Sequence, residues 1–199
     1  GYTHGGSPSD RISILCTYEN CVFATNNVAA SDLVFIGSYS TTHRFTGCSF
    51  LTFKRSGVHL HLADSVSFKD CVFEESDDTQ PYLYLDTSVN CLVDHCYFED
   101  QVGSSVATWM LTVDVLSHCC AVNNCTFRRH GGVAPKAVQV KGGAKAVMVQ
   151  NPHVITLGGT PTGATVDISG SGTRCVVTGG AGQDSTTAAV DIIVTDTST

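Results

Sequence analysis

Hydrophobic and polar positions recur along this chain with a period of about 26 residues, within the range of roughly 20 to 50 that marks a solenoid. The triplet Cys-x-Phe occurs five times, and its cysteines follow one another at intervals of 27, 23, 25 and 29 residues. These anchors are Cys21, Cys48, Cys71, Cys96 and Cys125, and Pro152 and Gly180 continue the register. The small variation in the intervals indicates turns of different length between strands that keep their register.

Within each repeat, apolar residues fall five and three positions before the anchor, at the anchor, and two positions after it. Steps of two are typical of a strand with one face inward, but the step of three before the anchor reverses the face unless the backbone bends. Asn, Gly and Asp, which tolerate left-handed φ, predominate just before the anchor. The pattern predicts two short strands meeting at a tight corner one or two residues before the anchor.

A third alternating segment precedes this corner in each repeat, at residues 32–36, 58–62, 82–85, 111–115, 138–140, 166–168 and 190–192. Three strands, one tight corner and two longer turns per repeat predict an all-β right-handed parallel β-helix of about seven coils. A β-sandwich is the alternative, but it needs a hairpin signal every roughly 8–12 residues, and Asn-Gly and Asp-Gly pairs are absent.

Composition limits the function classes. Of the 199 residues, 42% are hydrophobic and 15% charged, and the net charge is −7. This acidic balance argues against nucleic-acid binding, and no apolar run approaches the roughly 20 residues that membrane insertion requires. We expect residues 1–10 to be a linker or the end of an upstream segment, and residues 11–199 to form the β-helix domain.

Nine of the ten cysteines fall on inward positions, and only Cys119 points outward. This distribution predicts reduced, buried thiols in a protein made in a cytoplasm. Their spacing does not fit a zinc site. His59 and His61 share one face of a predicted strand, but the sequence shows no third ligand, so we expect no metal and no cofactor.

The inward columns and the Asn-rich corner resemble the pectin-lyase-like family of right-handed parallel β-helices over residues 11–199. The family includes pectate lyases, polygalacturonases, alginate epimerases and phage tailspikes. The reduced cysteines and the Gly/Thr/Ser/Ala-rich final third, from Gly142 onward, make the chain most similar to a phage tailspike, fibre or appendage protein. That resemblance implies a homotrimer.

Outward positions of the third strand of each repeat form a stripe of aromatic and hydrogen-bonding side chains suited to sugar rings. From one repeat to the next, the stripe aligns His61, Tyr84, Asp114, Gln139, Asp167 and Asp191. The candidate glycan-binding residues are His59, His61, Tyr82, Tyr84, Trp109 and Asp114. A face buried between subunits and an ordinary solvated strand are the alternatives.

Carboxylates follow the Phe anchors, where Glu74 is equivalent to Glu99 and Glu75 to Asp100 in adjacent repeats. Stacked carboxylates repel, so we expect one of them to keep its proton near neutral pH, as a glycoside hydrolase acid does. These four residues are the candidate catalytic groups. A solvated acidic loop and a calcium site of carboxylate oxygens are the alternatives.

Three functions stay open from the sequence. The first is a virion surface spike or fibre module, a homotrimer that binds a host-surface polysaccharide and contacts other virion proteins. The second is a polysaccharide-degrading enzyme, either a glycoside hydrolase or a lyase. The third is a structural β-helical stalk or capsid decoration. The short chain favours binding or structure over catalysis.

Overall fold

The computed structural model of this protein describes residues 2–4, 14–25, 31–76, 80–100, 109–130, 136–157, 166–170, 174–184 and 192–196. Within these ranges the chain forms short strands and no helix. In chain order the strands are β1 (Tyr2–His4), β2 (Thr17–Glu19), β3 (Val22–Ala24), β4 (Val34–Ile36), β5 (Arg44–Thr46), β6 (Ser49–Phe53), β7 (Val58–His61), β8 (Ser67–Lys69), β9 (Val72–Ser76), β10 (Leu83–Asp86), β11 (Leu92–Asp94), β12 (Tyr97–Glu99), β13 (Trp109–Val113), β14 (Ala121–Asn123), β15 (Thr126–His130), β16 (Lys136–Val140), β17 (Met148–Gln150), β18 (His153–Leu157), β19 (Val166–Gly170), β20 (Val176–Thr178), β21 (Ala181–Asp184) and β22 (Ile192–Asp196).

The strands form three parallel sheets in which every neighbour is three strands away in sequence. The first sheet runs β1-β4-β7-β10-β13-β16-β19-β22, the second β2-β5-β8-β11-β14-β17-β20, and the third β3-β6-β9-β12-β15-β18-β21. Each turn of the chain therefore contributes one strand to each sheet. The predicted all-β parallel solenoid with three-strand rungs is confirmed.

Like side chains stack in columns inside the coil. The rings of Phe50, Phe73, Phe98 and Phe127 stack in sequence, with centroids 4.7, 4.7 and 4.9 Å apart. The neighbouring cysteines also stack, since the amide that follows Cys71 donates to the Cys48 carbonyl at 2.9 Å and the amide that follows Cys96 donates to the Cys71 carbonyl at 2.8 Å. This stacking confirms the inward columns that the Cys-x-Phe repeat predicts.

The predicted tight corner lies between the second and third sheets. The residue directly before each anchor has left-handed φ, between 46° and 65°; these residues are Asn20, Gly47, Asp70, His95, Asn124, Asn151 and Gly179. At Gly47 a Cβ atom would lie 2.6 Å from Asn20 Oδ1, so the side chain of one corner occupies the space beside the next. The corner therefore requires residues that accept left-handed φ and stack closely.

A second tight corner, which the sequence did not reveal, separates the first and second sheets. The residue six positions before each of six anchors also has left-handed φ, between 53° and 60°; these are Leu15, Thr42, Ser65, Asn90, Cys119 and Ala146. Each follows a parallel bridge residue, such as Asp64 before Ser65. The expectation of one tight corner and two longer turns was therefore wrong on this point.

Two details of the first sheet also differ from the predicted strands. Residues 2–4, within the segment expected to be a linker, form the edge strand β1, which pairs with β4. The last strand, β22, pairs Ile193 with Asp167, whereas the sequence pattern aligned Asp191 with Asp167. Asp191 itself lies outside the described residues.

The ten cysteines form no disulfide. Six are buried, namely Cys48, Cys71, Cys91, Cys96, Cys120 and Cys125, while Cys119 is exposed. Burial raises the pKa of Cys48, and a hydrogen bond to the Cys96 thiol, together with burial, raises that of Cys71. These thiols act as small, uncharged core side chains.

Among the described residues, no helix is long and apolar enough to cross a membrane.

Candidate functional site

The outer face of the first sheet carries two adjacent columns of polar side chains. Strand register places His59 beside Tyr84, and Tyr84 beside Thr112. It places His61 beside Asp86, and the ladder continues to Asp114 and Lys141, whose amides bond the Leu85 and Val113 carbonyls. The stripe predicted from sequence ran through His61, Tyr84 and Asp114. It therefore mixed the two columns, because His61 and Asp114 belong to one column and Tyr84 belongs to the other, two residues earlier along its strand.

The side chains that contact one another here define the first-sheet cluster, which comprises Asp32, His59, His61, Tyr84, Asp86, Asp114 and Lys141. Its histidines bind carboxylates. His59 Nδ1 lies 3.0 Å from Asp32 Oδ2, and His61 Nδ1 lies 2.6 Å from Asp86 Oδ2. The other ring nitrogen of His59, Nε2, lies 3.7 Å from Asp86 Oδ2. The two histidines therefore converge on one carboxylate oxygen.

Tyr84 occupies the middle of the cluster. Its ring stacks on His59 with centroids 4.8 Å apart, and Lys141 Nζ lies 5.6 Å from its centroid. Its hydroxyl donates to Asp114 Oδ2, which also accepts from Lys141 Nζ at 2.8 Å. Burial and the hydrogen bond to Asp114 raise the pKa of Tyr84. Tyr84 therefore stays a protonated donor in this environment.

Asp114 is held as a carboxylate. Partial burial alone raises its pKa, but hydrogen bonds from Lys141, Tyr84 and the Val115 amide outweigh burial and bring the pKa below its usual value. Its side chain is 10% exposed, whereas that of Lys141 is 40% exposed. The cluster thus presents a partly exposed cation to solvent above a largely buried anion.

Three members of the cluster were missed by sequence reasoning: Asp32, Asp86 and Lys141. Asp32 precedes β4 and accepts a hydrogen bond from the Ser56 amide at 3.3 Å, a contact between adjacent coils that local sequence does not show. Asp86 carried a usable signal, because it lies two residues after Tyr84 and so shares its outward face. Aligning Asp86 with His61 would have found it.

Two predicted glycan-binding residues are not on the surface. Tyr82 is fully buried, packs edge-on against Phe53 with centroids 5.2 Å apart, and donates a hydrogen bond to Asp100 Oδ1 at 3.4 Å. Strand alternation had placed Tyr82 outward, but β10 begins only at Leu83, so the alternation does not reach it. Trp109 is 6% exposed, and Lys136 Nζ lies 4.9 Å from its ring centroid.

Of the predicted catalytic carboxylates, Glu74 and Glu99 lie on strands of the third sheet, and Asp100 directly follows one of these strands. Register aligns Glu74, Glu99 and Arg128 as consecutive neighbours, as the sequence predicted for the two glutamates. Glu99 Oε2 accepts from the Tyr97 hydroxyl at 2.7 Å, and Glu99 Oε1 lies 2.9 Å from Arg128 Nη1 and 3.2 Å from His130 Nε2. Glu99 is thus surrounded by donors.

This environment decides the charge of Glu99. Partial burial raises its pKa, but hydrogen bonds from Tyr97 and His130 and the charge of Arg128 outweigh burial, so the pKa lies below its usual value. Glu99 is therefore not the carboxylate that keeps a proton near neutral pH, because its nearest groups are donors and cations; for the other three carboxylates the expectation stays a prediction. Asp100 is buried, at 3% exposure. The side chain of Glu75 lies outside the described residues.

The described strands form a parallel β-solenoid, and the first-sheet cluster joins seven of its described polar side chains. No protein-family model matches the sequence, and no curated protein matches it. Among solved structures, the chain is similar to an alginate lyase from Paenibacillus sp. str. FPU-7, with 11% sequence identity and a TM-score of 0.32. The match covers 92% of this chain and 81% of the lyase. A similarity this low carries no information about function.

Proposed function

We propose that this chain is a module of a virion surface spike or fibre and that it binds a host-surface polysaccharide at the first-sheet cluster. The observation that supports this most directly is the cluster itself. It holds donors, acceptors and both signs of charge on the outer face of a parallel sheet, fixed by mutual contacts such as Lys141 to Asp114. Polar groups fixed before binding lose little entropy when a ligand arrives.

The mode of sugar contact differs from aromatic stacking. His59 and Lys141 both lie against the ring of Tyr84, and Tyr82 and Trp109 are buried, so these rings offer no open face to a sugar. The side chains of the cluster that reach solvent include His61 and Lys141, each 40% exposed, and Asp86, 24% exposed. Recognition would rest on hydrogen bonds to hydroxyl groups and on the Lys141 charge.

The assembly proposed for the spike is a homotrimer joined to other virion proteins. The second sheet offers a suitable contact surface, because its outer face carries an apolar column of Leu92, Ala121, Met148 and Val176 in register on adjacent strands. Leu92, Met148 and Val176 are 37%, 36% and 53% exposed. Packing this column against another copy would leave the first-sheet cluster free.

The reduced state of the thiols supports synthesis in the host cytoplasm, which keeps thiols reduced, before assembly on the virion.

Binding is tested by titrating the protein with capsular and cell-wall polysaccharides of candidate hosts, using a glycan array and then calorimetry. His61→Ala and Lys141→Met should each weaken binding by about ten- to a hundredfold, the range for hydrogen bonds to charged groups. Tyr97→Phe is the matched control, since it removes a similar phenol–carboxylate hydrogen bond from the third sheet.

Two results would contradict the proposal. If no polysaccharide binds, the glycan-binding function is wrong. If Tyr97→Phe abolishes binding while His61→Ala and Lys141→Met do not, the site lies on the third sheet. Release of reducing sugars or of unsaturated uronates during the same incubations would instead support the enzymatic alternative. Light scattering tests the trimer, and a monomer at micromolar concentration would contradict it.

A further inference from the structure

We propose that His59, His61 and Asp86 form a binding site for a first-row transition-metal ion, with zinc the foremost candidate. The parallel register of β7 and β10 places Asp86 directly beside His61 and Tyr84 beside His59. One ligand atom from each of the three residues lies within 4.8 Å of the others. The site does not depend on the proposed glycan binding.

The orientation of His59 is the first argument. Its Nδ1 atom is occupied by Asp32, 3.0 Å away, so Nε2 is the nitrogen left to act as a ligand. Nε2 is buried and makes no hydrogen bond. A buried polar atom without a partner costs free energy, and a metal ion would supply the missing partner. Histidine ligands commonly hold their second nitrogen against a carboxylate in this way.

The orientation of Asp86 is the second argument. Thr87 donates to Asp86 Oδ1 at 3.0 Å, while Oδ2 faces the histidines, 2.6 Å from His61 Nδ1 and 3.7 Å from His59 Nε2. Among the ion pairs of the described residues, no lysine or arginine contacts Asp86; Arg55 pairs with Asp32 and Lys141 with Asp114. The carboxylate oxygen is thus directed at two imidazoles without a fixed cation to neutralise it.

The donor set indicates the kind of ion. Two imidazole nitrogens and one carboxylate oxygen suit zinc, cobalt, nickel or iron(II), whereas calcium and magnesium prefer oxygen alone. Metal–ligand bonds of about 2.0–2.2 Å place tetrahedral donors about 3.3–3.6 Å apart. Reaching that spacing requires small side-chain movements at His61 and Asp86, both of which are partly exposed. Three protein ligands leave at least one coordination position for water or a ligand oxygen.

Metal binding is measured on chelator-treated, dialysed protein in a Cys119→Ser background, because the exposed Cys119 thiol can itself bind zinc. Calorimetry with zinc chloride should show one ion per chain, and cobalt(II) should give visible absorption bands of a low-coordinate site. His61→Ala and Asp86→Asn should each weaken zinc binding at least a hundredfold. Asp32→Asn, which removes only the support for His59, should weaken it about ten- to a hundredfold.

His95→Asn is the matched control, since His95 Nδ1 also lies 3.0 Å from a carboxylate, Asp94 Oδ1, but has no further ligand in the candidate set. Asparagine keeps the left-handed φ of that corner residue. This variant should bind zinc like the parent. The inference is overturned if zinc and cobalt do not bind at one ion per chain, or if binding survives His61→Ala in a variant whose circular dichroism is unchanged. Equal losses in His61→Ala and His95→Asn would also overturn it.

Discussion

Tyr82 and Asp100 meet inside the coil, where the tyrosine hydroxyl donates to Asp100 Oδ1 at 3.4 Å. Both side chains are buried, at 0% and 3% exposure. The two residues belong to adjacent turns of the chain, one preceding β10 and the other following β12. Their contact therefore stabilises the edge between the third and first sheets and keeps both groups away from any ligand.

Tyr82→Phe tests this assignment through stability. Removing the hydroxyl takes one donor from a buried carboxylate, so the free energy of unfolding should fall by about 1 kcal/mol, the usual net value of a hydrogen bond. Urea unfolding followed by circular dichroism measures the change. Tyr97→Phe, whose hydroxyl bonds a partly exposed Glu99, should change stability less because water can replace it. An unchanged midpoint for Tyr82→Phe would contradict the structural role.

The corner before each anchor predicts a different response to alanine and glycine. Asn124 has φ of 52°, accepts a hydrogen bond from Asn151 Nδ2 at 3.1 Å, and stands on the exposed edge of the coil. Asn124→Ala should cost about 1–2 kcal/mol, because alanine has no local hydrogen bond to offset left-handed φ. Asn124→Gly should cost less, since glycine adopts this φ freely. Urea midpoints that rank glycine below alanine would contradict the corner geometry.

The sequence revealed most of the fold because the repeat constrains the interior. An anchor such as Cys71, with Phe73 two residues later, must face inward in every turn, and the residue before it must bend the chain. The second corner gave no such signal. Leu15, Cys119 and Ala146 are not residues that favour left-handed φ; hydrogen bonds between adjacent turns, such as Leu15 N to the Thr41 carbonyl, hold them there.

The candidate site was predicted less well, because it depends on register across turns of unequal length. Intervals between anchors range from 23 to 29 residues, so the anchor spacing does not fix which outward residues of the first sheet are neighbours. Tyr84 was aligned with His61, whereas it pairs with His59. Asp86 contacts His61, and Lys141 contacts Asp114, only because the strands of adjacent turns pair in the observed register. Long-range pairing of this kind is not encoded in any local pattern.

The interior thiols should resist labelling in the native state. Cys71 and Cys96 are buried, and hydrogen bonding to neighbouring thiols together with burial raises the pKa of both, so little reactive thiolate forms. A disulfide reagent at neutral pH should label exposed Cys119 rapidly, and mass spectrometry should find Cys71 and Cys96 labelled only in urea. In Cys119→Ser the fastest phase should disappear, leaving slower labelling of the half-buried Cys16, Cys21 and Cys175. Rapid native labelling of Cys71 would show that the core column is open.

Glu99 should make stability depend on acid pH. Its folded-state pKa lies below the unfolded value of 4.5, because the hydrogen bonds from Tyr97 and His130 and the Arg128 charge outweigh burial. Such a group stabilises the fold above pH 4.5, and the contribution is lost as the pH falls through the lower folded value. Urea unfolding at pH 7 and pH 3 should therefore show a smaller acid loss in Glu99→Gln than in the parent chain. Glu19→Gln, on the exposed face of β2, is the control and should keep the parental loss. Equal acid losses in the parent and Glu99→Gln would contradict the ion-pair assignment.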